Sequence, residues 1–313
     1  MTGTASSSSV VPFFLLCFLF SMFTPRETRA ETKFTIDAAL SRIDVSVDAT
    51  IPQVSDAQLK RWVQNAADAV VAYYGRYSVP HVFLQIRPFD GKGVRGGRTF
   101  SMRGGLIRIA VGNETTEDDL ARDWMLTHEM VHLTFPSVPD EHHWIEEGIA
   151  TYVEPIARIQ AGQFNASRMW FELVRDMPKG LPQSGDQGLD HTHSWGRTYW
   201  GGALFCLLAD VEIRRQTQNK KGLEDALRGI LNAGGDMRED WELEKAFDVG
   251  DHATGTDVLM KLYERMRNSP VETDLAALWK ELGIREENGT VQFQDDAPLA
   301  AIRKSISARR TEK

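Results

Sequence analysis

Two histidines and a glutamate stand at the spacing of a metal site in the middle of the chain. The segment His128-Glu129-Met130-Val131-His132 has the pattern HExxH, and it lies in a stretch whose apolar periodicity predicts a helix. Positions i and i+4 lie one turn apart on the same helix face, so both imidazoles can reach one zinc ion. Glu129 is offset around the helix and can act as a general base on a water molecule. The alternative is an ordinary helix with two surface histidines and a glutamate.

A catalytic zinc ion needs a third protein ligand, and two adjacent glutamates compete for that role. The next predicted helix runs from about Trp144 to Ile159 and begins with the residues WIEEGIATY. Its two glutamates, Glu146 and Glu147, point about 100° apart around the helix axis. Only one of them can therefore face the two histidines.

These residues resemble the gluzincin zinc metallopeptidases, the group of thermolysin and aminopeptidase N. In the aminopeptidase branch the third ligand is the glutamate of a Trp-x-x-Glu-Gly-x-Ala motif on the helix after HExxH. The matching residues here are Trp144, Glu147, Gly148 and Ala150. The resemblance therefore implies that Glu147 and the two histidines hold one Zn²⁺ per chain. Fourteen residues separate His132 from Glu147, fewer than in aminopeptidase N, which predicts a tight loop between the helices.

Two further histidines, His142 and His143, lie just before the second helix. The metzincin pattern would require glycine at position 135 and histidine at position 138. This chain has Phe135 and Val138 there, which excludes that class. We therefore expect His142 and His143 to be loop residues or substrate contacts.

A second resemblance lies downstream in residues 193–204, which read HSWGRTYWGGAL. This segment is similar to one in the glycyl-aminopeptidase-like gluzincins that also precedes an apolar helix. A tyrosine there donates its hydroxyl to the oxyanion of the tetrahedral intermediate, so the resemblance implies this role for Tyr199. The alternative is that Tyr199 packs at a helix start. His193 is a candidate substrate contact, and Glu154 and Asp123 are candidates to orient the histidine ligands.

A glycine-rich basic segment, residues 91–105, precedes the HExxH helix. Its glycines would let a substrate backbone approach closely, and residues 104–109 are predicted to form an edge strand that binds peptide by β-strand addition. The candidate contacts are Gly104, Gly105 and, for a substrate carboxylate, Arg98 or Arg103. The alternative is a flexible surface hairpin. The chain has no clear copy of the Gly-Ala-Met-Glu-Asn motif that holds the free amino terminus in aminopeptidase N.

The elements that must position these groups divide the chain into two parts. Residues 31–112 alternate in the pattern of strands, around Ile43 and Val82, and carry one amphipathic helix. Residues 113–299 read as mainly helical, and residues 300–313 read as a basic tail. The predicted fold class is α+β: a small mixed sheet with a helix, followed by a mainly helical half. The zinc site is expected on two consecutive helices in the cleft between them.

Two individual helices matter most for the site. The periodicity from Thr116 to Leu133 predicts one continuous helix that carries HExxH, with acidic residues in its first turn. The apolar run after the tyrosine segment predicts a helix from Thr198 to Gln216.

Charge and cysteine content exclude other classes of protein. A net charge of -8 argues against a general nucleic-acid binder, which needs a clustered basic surface. Two cysteines in 313 residues exclude a disulfide-stapled or cysteine-rich metal scaffold.

Residues 10–23 form an apolar run that predicts a signal peptide over residues 1–30, cleaved after Ala30. We therefore expect a secreted or periplasmic mature chain without a membrane span; the alternative is tethering by an uncleaved signal anchor.

Together these features predict an exported zinc-dependent peptidase that acts on peptide or protein substrates. A metal-activated water attacks the peptide bond, Glu129 is the general base and Tyr199 stabilises the oxyanion. The alternative is a zinc-binding, catalytically inactive peptide-binding module. The intact Glu129 weighs against it, since loss of that base is the usual mark of such a protein.

Overall fold

The computed structural model describes residues 1–3, 32–39 and 41–309, except for the side chain of Arg103. Apart from its first three residues, the predicted signal peptide at residues 1–30 lies outside this description. None of the helices in the described ranges has both the length and the apolar composition that a membrane crossing requires. A mixed sheet with one helix comes first and a helical half follows, so the predicted α+β class is confirmed.

The first sheet has five strands in the order β1-β2-β3-β5-β4. The bounds are β1 Thr32–Ala38, β2 Ser41–Val47, β3 His81–Phe89, β4 Val94–Phe100 and β5 Leu106–Gly112. β2, β3 and β5 are parallel, whereas β1 and β4 are antiparallel to their neighbours. Alternate side chains of β2, such as Ile43 and Val45, are buried, because successive residues of a strand point to opposite faces.

One amphipathic helix, α1 (Asp56–Tyr74), precedes β3 and packs on the sheet half. Ser55 begins it with a capping box, since its side chain accepts the N–H of Gln58 and the Gln58 side chain accepts the N–H of Ser55. Gly75 ends it at a φ of 82°, a left-handed conformation that glycine adopts without strain. Both ends of α1 are therefore fixed by local sequence.

The edge strand beside the helical half is β4, which corrects the sequence prediction. Residues 104–109 were expected at the edge, but β5 has β3 on one side and β4 on the other. β4 comes from the glycine-rich segment and packs against the helix that carries HExxH. Alternation within residues 104–109 identifies a strand, but the order of strands depends on pairings with distant residues.

The helical half surrounds α4, which contacts α1, α3 and α6. The helix bounds are α2 Glu117–Ala121, α3 Met125–His132, α4 His143–Gln160, α5 Ala166–Asp176, α6 Gly202–Gln216, α7 Leu223–Asn232, α8 Leu243–Thr254, α9 Val258–Met266, α10 Leu275–Leu282 and α11 Ala300–Ile306. A two-stranded sheet of β6 (Ile284–Glu287) and β7 (Thr290–Phe293) lies between α10 and α11 in the chain. Since most side chains of α4 are buried, the helix that follows HExxH is a core helix.

The predicted continuous helix from Thr116 to Leu133 is two helices, α2 and α3. Asp123 lies between them, and its carboxylate accepts the backbone N–H groups of Met125 and Leu126. This side chain satisfies donors that a helix start leaves unpaired, and α3 begins there. The prediction of one helix is therefore wrong, because the apolar period continues across the break.

Two glycines allow α4 and α6 to touch at their crossing. A Cβ atom on Gly148 would overlap the backbone of Gly202, and one on Gly202 would overlap the carbonyl oxygen of Trp144. Any larger residue would force the helices apart. Gly148 follows Glu147 directly, so this contact fixes the distance between α6 and the turn of α4 that carries Glu147.

Residues 300–313 were expected to be a basic tail, and this is wrong for residues 300–306, which form α11. Ile302 and Ile306 are buried on one side of it. Arg303 is also buried, and its guanidinium donates to the carbonyl oxygens of Leu282 and Gly283. One of the basic residues in this segment, Arg303, therefore anchors α11 to the end of α10.

Candidate metal centre

Three potential ligand atoms, from His128, His132 and Glu147, converge on one point between α3 and α4. The Nε2 atoms of His128 and His132 lie 3.1 Å and 3.6 Å from Glu147 Oε2. The three ligand atoms lie within 4.8 Å of one another. Their side chains are 5%, 12% and 10% exposed, so the centre is largely shielded from solvent. The fold thus brings together the residues that the sequence assigns to the metal.

The donor set fits a zinc ion. Two ligands at 2.0–2.1 Å from a tetrahedral ion lie about 3.3 Å apart, close to the 3.1 Å and 3.6 Å found here. Burial lowers the pKa of His128, which favours the neutral imidazole that binds metals. Burial also acts to lower the pKa of His132, but the hydrogen bond with Glu147 and the nearby carboxylates raise it. Burial alone would raise the pKa of Glu147, but hydrogen bonds with His128, His132 and His143 hold it well below its usual range. A carboxylate that faces two imidazole nitrogens needs a proton or a cation between them.

Glu146, the competitor for the third ligand position, points away from the centre. Its carboxylate accepts the N–H of Val138 at 3.2 Å and contacts His143 Nδ1 at 2.9 Å. These bonds tie the start of α4 to the loop that connects α3 and α4. Glu146 therefore stabilises the short loop between α3 and α4, whereas Glu147 faces His128 and His132.

The two histidines before that glutamate pair have contacts that the sequence did not reveal. His142 is buried, and its Nδ1 lies 2.9 Å from Asp190 Oδ1. His143 is the first residue of α4, and its Nε2 lies 3.4 Å from Glu147 Oε1. His142 therefore lies in the predicted loop, in a short 3-10 turn before α4, whereas the expectation of a loop residue is wrong for His143. For His143, its spacing of four residues from Glu147 on one helix was the available signal.

Asp190 connects the start of α4 to the segment that leads to Tyr199. Besides His142, its carboxylate accepts the indole N–H of Trp144 at 2.8 Å and the hydroxyl of Tyr263 at 3.0 Å. Burial of this carboxylate requires such partners. Sequence reasoning missed Asp190, because its partners lie more than forty residues away.

Glu129 is held by the edge strand β4. Thr99 Oγ1 donates to Glu129 Oε2 at 2.6 Å and lies 2.9 Å from the Glu129 carbonyl oxygen. A Cβ atom on Gly97 would overlap the Glu129 carboxylate, so glycine is needed for this close approach. Both contacts were missed at the sequence level, where the glycine-rich composition was the only signal.

Tyr199 lies in a π-helical turn, Gly196–Gly201, directly before α6. Its ring stacks on that of His128, with centroids 6.3 Å apart and an angle of 12° between the planes. Burial and the carboxylates of Glu147 and Glu129 raise the pKa of Tyr199 to about 12. The hydroxyl therefore stays protonated at neutral pH and can donate a hydrogen bond. Such π-helical turns are frequent at functional sites.

Arg197 anchors the π-helical turn. It forms an ion pair with Asp186 at 2.7 Å, with both side chains at most 2% exposed, and it donates to the Gly180 carbonyl oxygen. The helix predicted from about Thr198 to Gln216 is present, but its first turn, Gly196–Gly201, is π-helical, and the α-helix begins at Gly202.

The candidates for orienting the histidines make their hydrogen bonds elsewhere. Asp123 caps α3 and accepts the indole N–H of Trp62 at 3.0 Å. Glu154 pairs with Arg158 at 2.8 Å. Among the described residues, the buried Nδ1 of His128 has no hydrogen-bond partner. Asp123 therefore acts on the centre through the start of α3 rather than through an imidazole.

The predicted contacts Gly104 and Gly105 are packed against protein. Gly104 has a φ of 109°, and a Cβ atom there would overlap the carbonyl oxygen of His81. The missing side chain of Gly105 makes room for Leu133. Both glycines therefore permit close packing where the chain passes from β4 into β5.

The other candidate contacts lie at the surface or outside the description. Arg98 is exposed on β4, between Gly97 and Thr99. His193 is exposed in the segment before the π-helical turn. The side chain of Arg103 lies outside the described part of the chain. The roles of these three side chains stay predictions.

Comparison with known proteins identifies the fold. No family model and no curated protein sequence matches the chain. Among solved structures, an aminopeptidase N family protein from Idiomarina loihiensis has a TM-score of 0.60 at 12% identity, over 81% of this chain and 49% of that one. An M1 zinc metallopeptidase from Deinococcus radiodurans has a TM-score of 0.51 at 13% identity, over 78% of this chain and 53% of that one. The chain has a gluzincin-type fold.

The gluzincin-type fold agrees with the resemblance seen in the HExxH and Trp-x-x-Glu-Gly-x-Ala motifs. The chain spans about half the length of the solved structures that it matches. At 12–13% identity the likeness shows the fold alone. Activity must therefore be argued from the side chains around the metal centre.

Proposed function

We propose that this chain is a zinc-dependent peptidase that hydrolyses peptide bonds in peptide or protein substrates. The convergence of His128, His132 and Glu147 on one point, with Glu129 and Tyr199 beside it, carries the proposal. Three protein ligands leave one position of a tetrahedral ion open, as in catalytic zinc sites. The gluzincin-type fold supports the same function.

The residues around the centre supply the remaining chemistry. A zinc ion held there would provide a Lewis acid for the scissile carbonyl and for the attacking water. Glu129 accepts a proton from that water and passes it to the nitrogen of the leaving amine. Tyr199 donates its hydroxyl to the carbonyl oxygen as it gains negative charge. When the C–N bond breaks, the products are a carboxylic acid and an amine.

The edge strand β4 offers a binding place for the substrate backbone. Among the described strands, β4 pairs only with β5, so an extended peptide can add to the other side of β4. β4 also contacts Glu129 through Gly97 and Thr99, so a peptide on this strand would pass beside the general base. The exposed Arg98 on the same strand is available to a substrate carboxylate.

Metal analysis together with a Glu129→Gln variant tests the proposal. We expect about one zinc per chain in both proteins. Peptide cleavage by the variant should fall by at least about a hundredfold, because a positioned general base typically contributes that much. Glu141→Gln is the matched control, since Glu141 is an exposed glutamate on the loop before α4, and it should keep wild-type activity.

Each result decides between functions. A chain without zinc contradicts the proposal. Zinc without cleavage of any peptide in a library would indicate the inactive peptide-binding module instead. Full activity in Glu129→Gln would show that another group is the base.

Two narrower features belong to the same proposal. The Tyr199 segment supports the glycyl-aminopeptidase-like branch. The apolar run at residues 10–23 supports export to the periplasm or the medium, with cleavage after Ala30. Mass spectrometry of the exported chain should find Glu31 at its amino terminus, and an exported chain that retains residues 1–30 would show the uncleaved anchor.

A further inference from the structure

A cavity of about 360 Å³ adjoins the candidate metal centre. Its walls come from α4, α5 and the π-helical turn, and both His128 and Tyr199 line it. Its volume is in the range of pockets that bind small ligands. A substrate whose carbonyl lies at Tyr199 therefore has a neighbouring side chain within reach of this cavity.

Two exposed tryptophans line the same cavity. Trp124 is 49% and Trp195 is 59% exposed, although rings of this size usually bury most of their surface. Trp124 meets His128 edge-on with centroids 5.4 Å apart, and Trp195 stacks on Tyr199 at 5.7 Å. A ligand in the cavity beside His128 and Tyr199 can therefore cover apolar ring surface of both tryptophans.

The acidic groups that line the cavity already have cationic partners. The ion pairs are Glu154–Arg158, Glu172–Arg168, Asp176–Arg175 and Asp176–Lys179, at 2.5–3.0 Å. Among the described lining residues, basic side chains outnumber acidic ones by five to three. Lys179 also lies 5.8 Å from the ring centroids of Trp195 and Trp200. A lysine or arginine of a substrate would therefore meet no unpaired carboxylate that could compensate for the loss of its hydration.

We propose that this cavity is a subsite for a large aromatic side chain of the substrate, next to the scissile bond, and that it discriminates against lysine and arginine. The inference rests on the proposed peptidase function and adds the class of side chain. The buried Met169 and Leu173 extend the apolar lining, and aromatic rings pair favourably with the exposed tryptophans.

A larger cavity of about 670 Å³ lies on the sheet and is a weaker candidate. Its lining comes from strand residues such as Asp44 and Gln85 and from the exposed Met102. No residue of the metal centre lines it. A side chain there would lie away from the reacting bond.

Peptides that differ in one residue beside the scissile bond test the subsite. The wild-type protein is expected to cleave the phenylalanine peptide at least about ten times better than the alanine or lysine peptide, measured as kcat/KM. Trp195→Ala should reduce this preference several-fold. Thr151→Phe, which puts a ring into the cavity from α4, should abolish it. Met102→Ala is the control, since Met102 is also 59% exposed but lies at the larger cavity.

Binding measured without turnover separates the subsite from the reaction. Saturation-transfer NMR on the Glu129→Gln protein should detect N-acetyl-phenylalanine amide, not N-acetyl-lysine amide, and the signal should be lost in the Glu129→Gln, Thr151→Phe double variant. Equal cleavage of all three peptides, or the wild-type preference in both cavity variants, overturns the subsite even if the peptidase function holds. If the chain binds no zinc and cleaves nothing, the function fails, and the NMR result alone decides about the cavity.

Discussion

Single residues that contact Glu129 and Glu147 determine how the candidate metal centre is built. Thr99 fixes one oxygen of Glu129, and His143 contacts the Glu147 oxygen that faces away from the other two histidines. Neither belongs to the motifs that reveal the site. Hydrogen bonds of this kind orient ligands and bases, and their loss typically lowers metal affinity or activity by about 10- to 100-fold.

Tyr199→Phe should separate oxyanion stabilisation from packing. The ring and its stacking on His128 remain, but the hydroxyl donor is lost. We expect kcat to fall by about a hundredfold to a thousandfold, because single oxyanion donors contribute that much, with unchanged zinc content. Steady-state kinetics on one peptide measures this. Unchanged kcat would leave Tyr199 as a packing residue.

His143→Leu should weaken zinc binding. Removal of the His143 contact leaves Glu147 Oε1 without that partner, and comparable changes lower metal affinity by about 10- to 100-fold. Competition with a chelating dye gives the dissociation constant. His191→Leu is the control, because His191 is an exposed histidine that contacts Asn268. Equal zinc affinity in the two variants would contradict the role of His143.

At the scale of elements, the sequence predicts what depends on local spacing and misses what depends on distant contacts. The i, i+4 histidines and the match around Glu147 place the centre on two consecutive helices. The break at Asp123 and the π-helical turn at Tyr199 were missed, since apolar periodicity runs through both. The edge position of β4 was also missed, because the order of strands depends on which distant segments pair during folding.

Gly148→Ala tests whether the crossing of α4 and α6 positions Glu147. The added methyl group would overlap the backbone of Gly202, and overpacking of this kind typically costs about 1–3 kcal/mol. Denaturant unfolding should show that loss, together with weaker zinc binding. Gly202→Ala should act similarly, and the double variant should lose less than the sum of the two, because both changes separate the same pair of helices. Strict additivity would contradict a shared contact.

For the molecule as a whole, Glu154 links the stability of the fold to pH. Burial raises the pKa of Glu154 to about 7, against the opposing attraction of Arg158. The unfolded chain loses this proton near pH 4.5, while the folded chain retains it up to about pH 7. The stability that Glu154 contributes is therefore complete below pH 4.5 and falls as the pH rises to 7, by up to about 3 kcal/mol.

Urea unfolding of the wild type and Glu154→Gln, with EDTA present to remove metal effects, measures this term. Glutamine mimics the neutral acid, so the variant should gain stability relative to the wild type between pH 5 and pH 8. Glu172→Gln is the matched control, because its carboxylate also lines the cavity and pairs with an arginine but is 32% exposed; it should follow the wild-type profile. Parallel profiles for all three proteins would mean that Glu154 is already ionised in the folded chain at pH 5. The cavity beside the metal centre would then hold a permanent ion pair, and its electrostatics would not change with pH.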